Sequence, residues 1–350
     1  MSDMHRSTSF CRLKQIDIAA VVAAPVESPQ RKMGLRDSVR TFWLSFRQRF
    51  STHGPQLKLA LAIALGVLVC IVGYLLYPEL YLRTWSMESA DAFWKANVHR
   101  SDIIVSLTTV PKRVDALDTV LKSLMLQTFA PKGIYLYVPQ YSQRDKTPYV
   151  IPARFRSLLS VSIKQIDKDW GPATKFLPAV LTLPDDQLVM SVDDDVIYPY
   201  DFIERLHSMS RLHPNSVLGT RGWDVPRSLK WAESGTLFGT ALEAGKVVSV
   251  DVITGCGGIL FKPRFFDKTA LAALDSVPRE AFFVDDIWIS GNLAKKQVPR
   301  LVIPVKARHK TQFLRYAINK RSSLINRENA GGHNNDVMLR WFREYWRYES

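Results

Sequence analysis

The chain has 350 residues, 47% of them hydrophobic, a formal net charge of +14 and three cysteines. That length and apolar content exclude a disordered polymer and suit one large domain or two smaller ones. Cys11, Cys70 and Cys256 exclude a disulfide framework and any CxxC metal site, and the excess of Lys and Arg points to an anionic partner without naming it.

In chain order, residues 1–58 read as a basic tail. Within it RDSVRTFWLSFRQRF (36–50) mixes Arg with Phe, Trp and Leu, a pattern that suits an anionic membrane surface or a solvated tail. Residues 59–77, LALAIALGVLVCIVGYLLY, carry no charge over 19 positions. A helix of that length spans roughly 30 Å, so a transmembrane helix is expected, with Lys58, Tyr74 and Tyr77 at the interfaces. Arg31, Lys32, Arg36, Arg40, Arg47, Arg49 and Lys58 precede it, against Arg83 and Lys95 after it. This asymmetry predicts a cytoplasmic N-terminus. Residues 78–100 read as a stem, and a globular domain is expected over 101–350.

Within 101–350 apolar runs alternate with helical spacings. Strands are expected over 102–108, 134–138, 161–166 and 187–192, and helices over 114–127 and 174–183. Alternation of this kind predicts an α/β domain with a mainly parallel central sheet and flanking helices. Ligands of such sheets bind beyond the carboxyl ends of the strands.

Five stretches carry candidate chemistry. SLTTVPKRV (106–114) follows the first strand and offers Thr108, Thr109, Lys112 and Arg113 as donors to a nucleotide, or forms an ordinary strand-to-helix turn. No GxGxxG follows, which disfavours a dinucleotide site. DWGPATKFLPA (169–179) sets Lys175 at a helix start, a place suited to phosphate or to solvent. SVDDDVIY (191–198) delivers Asp193, Asp194 and Asp195 from an apolar strand. Three adjacent carboxylates repel one another, so either a divalent cation holds them or they form a solvated acidic turn or a helix cap. TGCGG (254–258) allows close backbone approach at Gly257 and Gly258, or a bulged strand. VDDIWISGNLA (284–294) presents Asp285 and Asp286 at a helix start, as a general base or an N-cap, with the Trp288 face near enough for a sugar ring. Trp170, Trp223 and Trp231 are further aromatic candidates.

Together these motifs resemble the GT-A fold of nucleotide-sugar glycosyltransferases, family-2-like, over roughly residues 101–304. The resemblance implies a Rossmann-like domain that moves a sugar from a nucleotide-sugar donor, a UDP- or GDP-sugar, to an acceptor hydroxyl on a glycan, protein or lipid. It implies Mn²⁺ or Mg²⁺ held by Asp195 and Asp193, with His309 a further ligand that fits better than His333. Thr108, Thr109, Arg113, Lys175, Asp193 and Asp194 would meet the donor, and Gly257, Gly258 and Trp288 the acceptor. Asp286, then Asp285, would act as the base, with inversion the expected outcome. Asp194 is expected to turn away from the metal.

A Golgi-type arrangement is expected, with a bacterial inner-membrane protein whose catalytic domain is cytoplasmic as the alternative. Two competing readings are a metal-dependent nucleotidyl- or phosphotransferase and a non-catalytic, membrane-tethered binder of anionic polymer. Nucleic-acid binding has no motif beyond charge.

Overall fold

The computed structural model describes residue 44 and residues 55–273, 276–306 and 329–347. The basic tail therefore lies almost wholly outside the described residues, as does His309. The chain divides into two units, residues 1–69 and 70–350.

Helix α1, Pro55–Arg83, contains the apolar stretch, and its side chains over 59–74 stand exposed. It is not a single straight span. The arms Lys58–Tyr74 and Leu76–Arg83 meet at 51°. Pro78 explains the position of the bend: it has no N–H for the Tyr74 carbonyl, and its ring crowds that carbonyl. Among the described residues no single helix is long and apolar enough to cross a membrane, and the two arms qualify together by length and composition only. The single transmembrane helix expected at 59–77 is thus not supported.

The expected stem, 78–100, holds the end of α1 and a second helix. Helix α2, Met87–Ala96, is capped by the Ser86 hydroxyl, which accepts from the Ser89 N–H at 3.0 Å. Met87 and Ala90 are buried in the same core as helix α3, Leu117–Met125. Asp91 accepts from the N–H groups of Leu159 and Ser160 and from the Ser160 hydroxyl. The Trp94 indole donates to the Pro131 carbonyl at 2.9 Å. The folded unit therefore includes this helix, upstream of Ser101.

The domain is mixed α/β around a mostly parallel sheet. Strands β1 (Ile104–Leu107), β2 (Gly133–Pro139), β3 (Val161–Ile166) and β4 (Val189–Ser191) lie in the order β3-β2-β1-β4, all parallel. Beyond β4 come β10 (Ile259–Phe261), β5 (Val217–Gly219), β11 (Arg300–Val302) and β8 (Val248–Ser249). Of these, β10 runs antiparallel to both β4 and β5, and β8 antiparallel to β11. A separate antiparallel sheet joins β6 (Arg221–Trp223) to β7 (Thr236–Phe238) and β9 (Val252–Ile253).

Side chains of a strand alternate between faces, so each strand serves two cores. Met190, Leu218 and Leu260 join α3 and helix α6 (Phe202–Leu212; α4 is the short Ala153–Arg156 and α5 is Leu177–Thr182) on one face. Val189, Val217, Ile259 and Phe261 join α5 and helix α8 (Asp285–Lys295; α7 is Lys268–Ala272) on the other. Helix α9, His333–Trp341, extends this second core through Met338 and Leu339. The expected helices over 114–127 and 174–183 both begin as tight 3-10 turns, at Pro111–Ala116 and Gly171–Lys175. In each a proline in the first turn fixes φ where no N–H is needed.

One pairing positions the site. Because β10 is antiparallel, its first residue, Ile259, pairs with Ser191 at the carboxyl end of β4. The glycine-rich loop before β10 is thereby delivered beside the aspartate triplet after β4.

Candidate active site

The loops after β1 and β4, the turn at 171–175, the glycine-rich loop and the start of α8 converge on a cleft of about 540 Å³. It opens where strands of an α/β sheet end, the place such sheets bind ligands.

The aspartate triplet is held apart by cations and hydroxyls of this chain. Arg113, in the 3-10 turn after β1, forks between two carboxylates: Nη2 lies 3.0 Å from Asp194 Oδ1 and Nη1 3.0 Å from Asp195 Oδ2. The Thr109 hydroxyl donates to Asp194 Oδ2 at 2.6 Å. Asp193 turns the other way, to Lys175 Nζ at 2.6 Å, while its own N–H donates to the Tyr198 hydroxyl. Asp194 is buried and faces Arg113 and the Thr109 hydroxyl.

Lys175 also reaches the second carboxylate pair. Its Nζ lies 2.9 Å from Asp285 Oδ2, within ion-pair distance though outside hydrogen-bond geometry. Asp285 and Asp286 open α8, yet Asp285 caps nothing; Val284 occupies the N-cap position. Asp286 Oδ1 accepts from the Gly255 N–H at 2.8 Å. Gly255 must be glycine here for reasons of space: a Cβ would stand 2.7 Å from Lys175 Nζ and 3.2 Å from Asp286 Oδ1.

Five of the carboxylates lining the cleft, Asp193, Asp194, Asp195, Asp285 and Asp286, thus crowd around Lys175 and Arg113, the cations that pair with members of this group among the described residues. The imbalance shows in proton affinity. Burial, then Asp194 and Asp193, push the Asp195 carboxyl up to about 6. Burial, then Asp285, push Asp286 up to about 7, with Lys175 pulling the other way. Burial works against the charge on Lys175, but Asp193, Asp285 and Asp286 outweigh it and hold its ammonium well above the ordinary lysine value.

Of the residues singled out from the sequence, Thr108, Thr109, Arg113, Lys175, Asp193, Asp194, Asp195, Asp285 and Asp286 all line the cleft. Thr108 does so while its hydroxyl donates to the Tyr137 carbonyl at 2.8 Å. Lys175 is 6% exposed and committed to two carboxylates, so it is not a free phosphate ligand. Trp288 is not a cleft residue at all. It is 2% exposed and packs on Phe342 in the second core, because its position on α8 faces the sheet. Gly257 and Gly258 lie behind the cleft. Gly258, at φ +69°, leaves room for the Phe202 ring, and Gly257 for the backbone of Arg221. Trp223 and Trp231 do line the cleft, whereas Trp170 packs against the second core. His333 is exposed at the start of α9.

Reading the sequence missed Arg221, Tyr149 and Cys256, which line the same cleft. The Tyr149 hydroxyl donates to the Thr109 carbonyl at 2.9 Å, bracing the loop after β1. Arg221 had a signal: a basic residue opening a short strand, TRGWD, two residues before the aromatic Trp223.

Among the described residues no group of three or more His, Cys, Asp or Glu side chains converges to hold a metal ion. Mg²⁺ bound with a phosphate substrate needs only one or two carboxylates, the rest being water and phosphate oxygens. Asp195 is partly exposed to the cleft while paired with Arg113.

No family model matches the chain, and no curated protein matches it. Among solved structures it is similar to S. aureus TarS 1-349, at 13% identity and a TM-score of 0.35, over 67% of this chain and 69% of that one. A likeness at that score carries no argument about function.

Proposed function

We propose that the chain is a metal-dependent glycosyltransferase of the GT-A type, moving a sugar from a UDP- or GDP-sugar to an acceptor hydroxyl. The observation that carries this reading is the joining of two carboxylate groups in one cleft at the strand ends. One is the triplet after β4; the other ends in Asp286, a carboxyl pushed up to about 7.

The chemistry divides between them. Asp195 and Asp193 would hold Mn²⁺ or Mg²⁺, which when bound supplies positive charge to the departing diphosphate. Arg113, fixed by Asp194 and Asp195, sets the charge and orientation of that wall. Asp286, ionised, accepts the proton of the acceptor hydroxyl. The acceptor oxygen bonds to the anomeric carbon, the bond from that carbon to the diphosphate oxygen breaks, and its electron pair leaves with the nucleotide. Attack from the side opposite the leaving group inverts the centre. The Gly255 N–H holds the carboxylate of Asp286 in place through this step.

A membrane anchor through α1, with a cytoplasmic N-terminus, belongs to the same proposal. It rests on the apolar composition of the helix and the basic residues before it. The test is turnover of UDP- and GDP-sugars by the full chain, with and without Mn²⁺, beside Asp286→Asn and Asp195→Asn. Metal-dependent release of nucleoside diphosphate, lost in both variants, is expected. Failure to bind or turn over any nucleotide sugar overturns the reading. Transfer of a nucleotidyl or phosphoryl group instead would replace it with the phosphotransferase alternative.

A further inference from the structure

Lys175 and Arg113 are both spent on carboxylates, but the cleft also holds Arg221, which is not. Arg221 opens β6 and lines the cleft. Among the described residues no carboxylate lies within ion-pair distance of it. Its Nη1 donates to the Cys256 sulfur at 2.8 Å, a weak acceptor, and its guanidinium sits 5.2 Å from the centre of the Phe238 ring. Its Nε is buried with no hydrogen-bond partner. A guanidinium offers five donors in a planar fork and stays charged, so a partly buried one with only a thiol and a ring leaves strong donors unused.

A second group nearby is in the same condition. Thr240 lines the cleft, and its buried hydroxyl has no partner among the described residues. Both sit on neighbouring segments of one wall: Arg221 pairs with Phe238, two residues before Thr240, and the N–H of Gly239 donates to the Thr220 carbonyl at 2.8 Å. The backbone at Arg221 is held as firmly as the site itself. Its carbonyl accepts from the Thr254 N–H at 3.1 Å, and a Cβ at Gly257 would stand 2.9 Å from its nitrogen. Thr254 adjoins Gly255, whose N–H holds Asp286. Arg221 therefore belongs to the wall of Asp286, while the triplet has Arg113 for its own.

We propose that Arg221 and Thr240 form an anion subsite on the acceptor side, so that the acceptor carries a phosphate, sulfate or carboxylate beside the hydroxyl that reacts. The subsite rests on the glycosyltransferase reading for the word acceptor; the anion site itself does not. Buried, unused donors of this kind bind a fixed anion with charge-assisted, bidentate geometry. They also select against a neutral analogue, which would leave them unpaired.

The test is calorimetric titration of the full chain, saturated with UDP or GDP, with glucose 6-phosphate, glucuronate and glucose. An anion preference of about 10-fold or more over glucose is expected from one charge-assisted pair. Arg221→Gln should abolish it, Arg221→Lys should keep part of it, and Thr240→Val should weaken it with no change in charge. Equal binding of anionic and neutral sugars by the unaltered chain overturns the proposal. So does a preference that survives Arg221→Gln. If Arg221→Gln instead weakens UDP or GDP and leaves glucose 6-phosphate unchanged, the anion is the donor's and the acceptor assignment falls. A chain that binds no nucleotide yet shows an Arg221-dependent anion preference keeps the subsite and loses the glycosyltransferase reading.

Discussion

Replacing Lys175 with methionine removes the one cation shared by both carboxylate groups while nearly preserving volume. The side chain of Lys175 is 8% exposed, Asp285 12% and Asp193 24%, so the charges left behind have little solvent to screen them. Removing one partner of a buried pair costs about 3–5 kcal/mol, most of it the burden of the uncompensated charge. For a domain of this size about 1 kcal/mol moves Tm by roughly 2 °C, so a fall of roughly 6–10 °C is expected by thermal unfolding. If uncompensated charge is the cause, Asp193→Asn with Asp285→Asn in the Lys175→Met background should restore more than half of the loss. A loss under about 1 kcal/mol, or one that the two asparagines leave unchanged, refutes the view that Lys175 is an electrostatic tie.

Asp286 gives the pH prediction. Its carboxyl is raised to about 7, so kcat/KM should rise with pH through that value as the base ionises. Between the ordinary carboxyl value near 4 and about 7 the folded state holds a proton the unfolded state lacks, so this group's contribution to stability falls as pH rises. An acid limb below pH 5 would exclude Asp286 as the base. Asp194→Asn should lower stability by about 1–3 kcal/mol, since Thr109 and Arg113 both lose a carboxylate partner, whereas Asp195→Asn should leave Tm nearly unchanged and lower kcat/KM about 100-fold or more. The reverse ranking in Tm and kinetics would mean that the two roles are exchanged. Trp288→Ala should cost about 3–5 kcal/mol as a core cavity, and Trp288→Phe should fold with donor and acceptor KM unchanged. A selective rise in acceptor KM in Trp288→Phe would restore it to the site.

Local pattern made some of this legible and distance hid the rest. Strand β3 coincides with the expected 161–166, and the triplet emerges at the end of β4, because short apolar runs bounded by polar residues read directly as strands. The start of α8 at the aspartate pair was equally plain. What periodicity cannot supply is the partner of a strand. The antiparallel insertion of β10 between β4 and β5, which brings Gly255 to Asp286, is a choice among pairings that one sequence leaves open. The same holds for Lys175. Its position in a turn suggested phosphate, but its two partners come from separate loops, and only the fold shows that its charge is already used. Trp288 misled for the opposite reason, since proximity in sequence to Asp286 put it on a helix face turned toward Phe342.

Helix α2 changes where this protein can be cut. Its N-cap is Ser86, and its Asp91 carboxylate satisfies two backbone N–H groups at residues 159 and 160, far along the chain. A soluble fragment begun at residue 101 would expose the apolar patch that Met87 and Ala90 cover and orphan those two donors, whereas one begun at residue 85 keeps cap, helix and contacts together. For expression, for limited proteolysis and for any fusion to a tag or reporter, the usable seam is therefore the short segment at 84–85, between the end of α1 and the hydroxyl that starts α2.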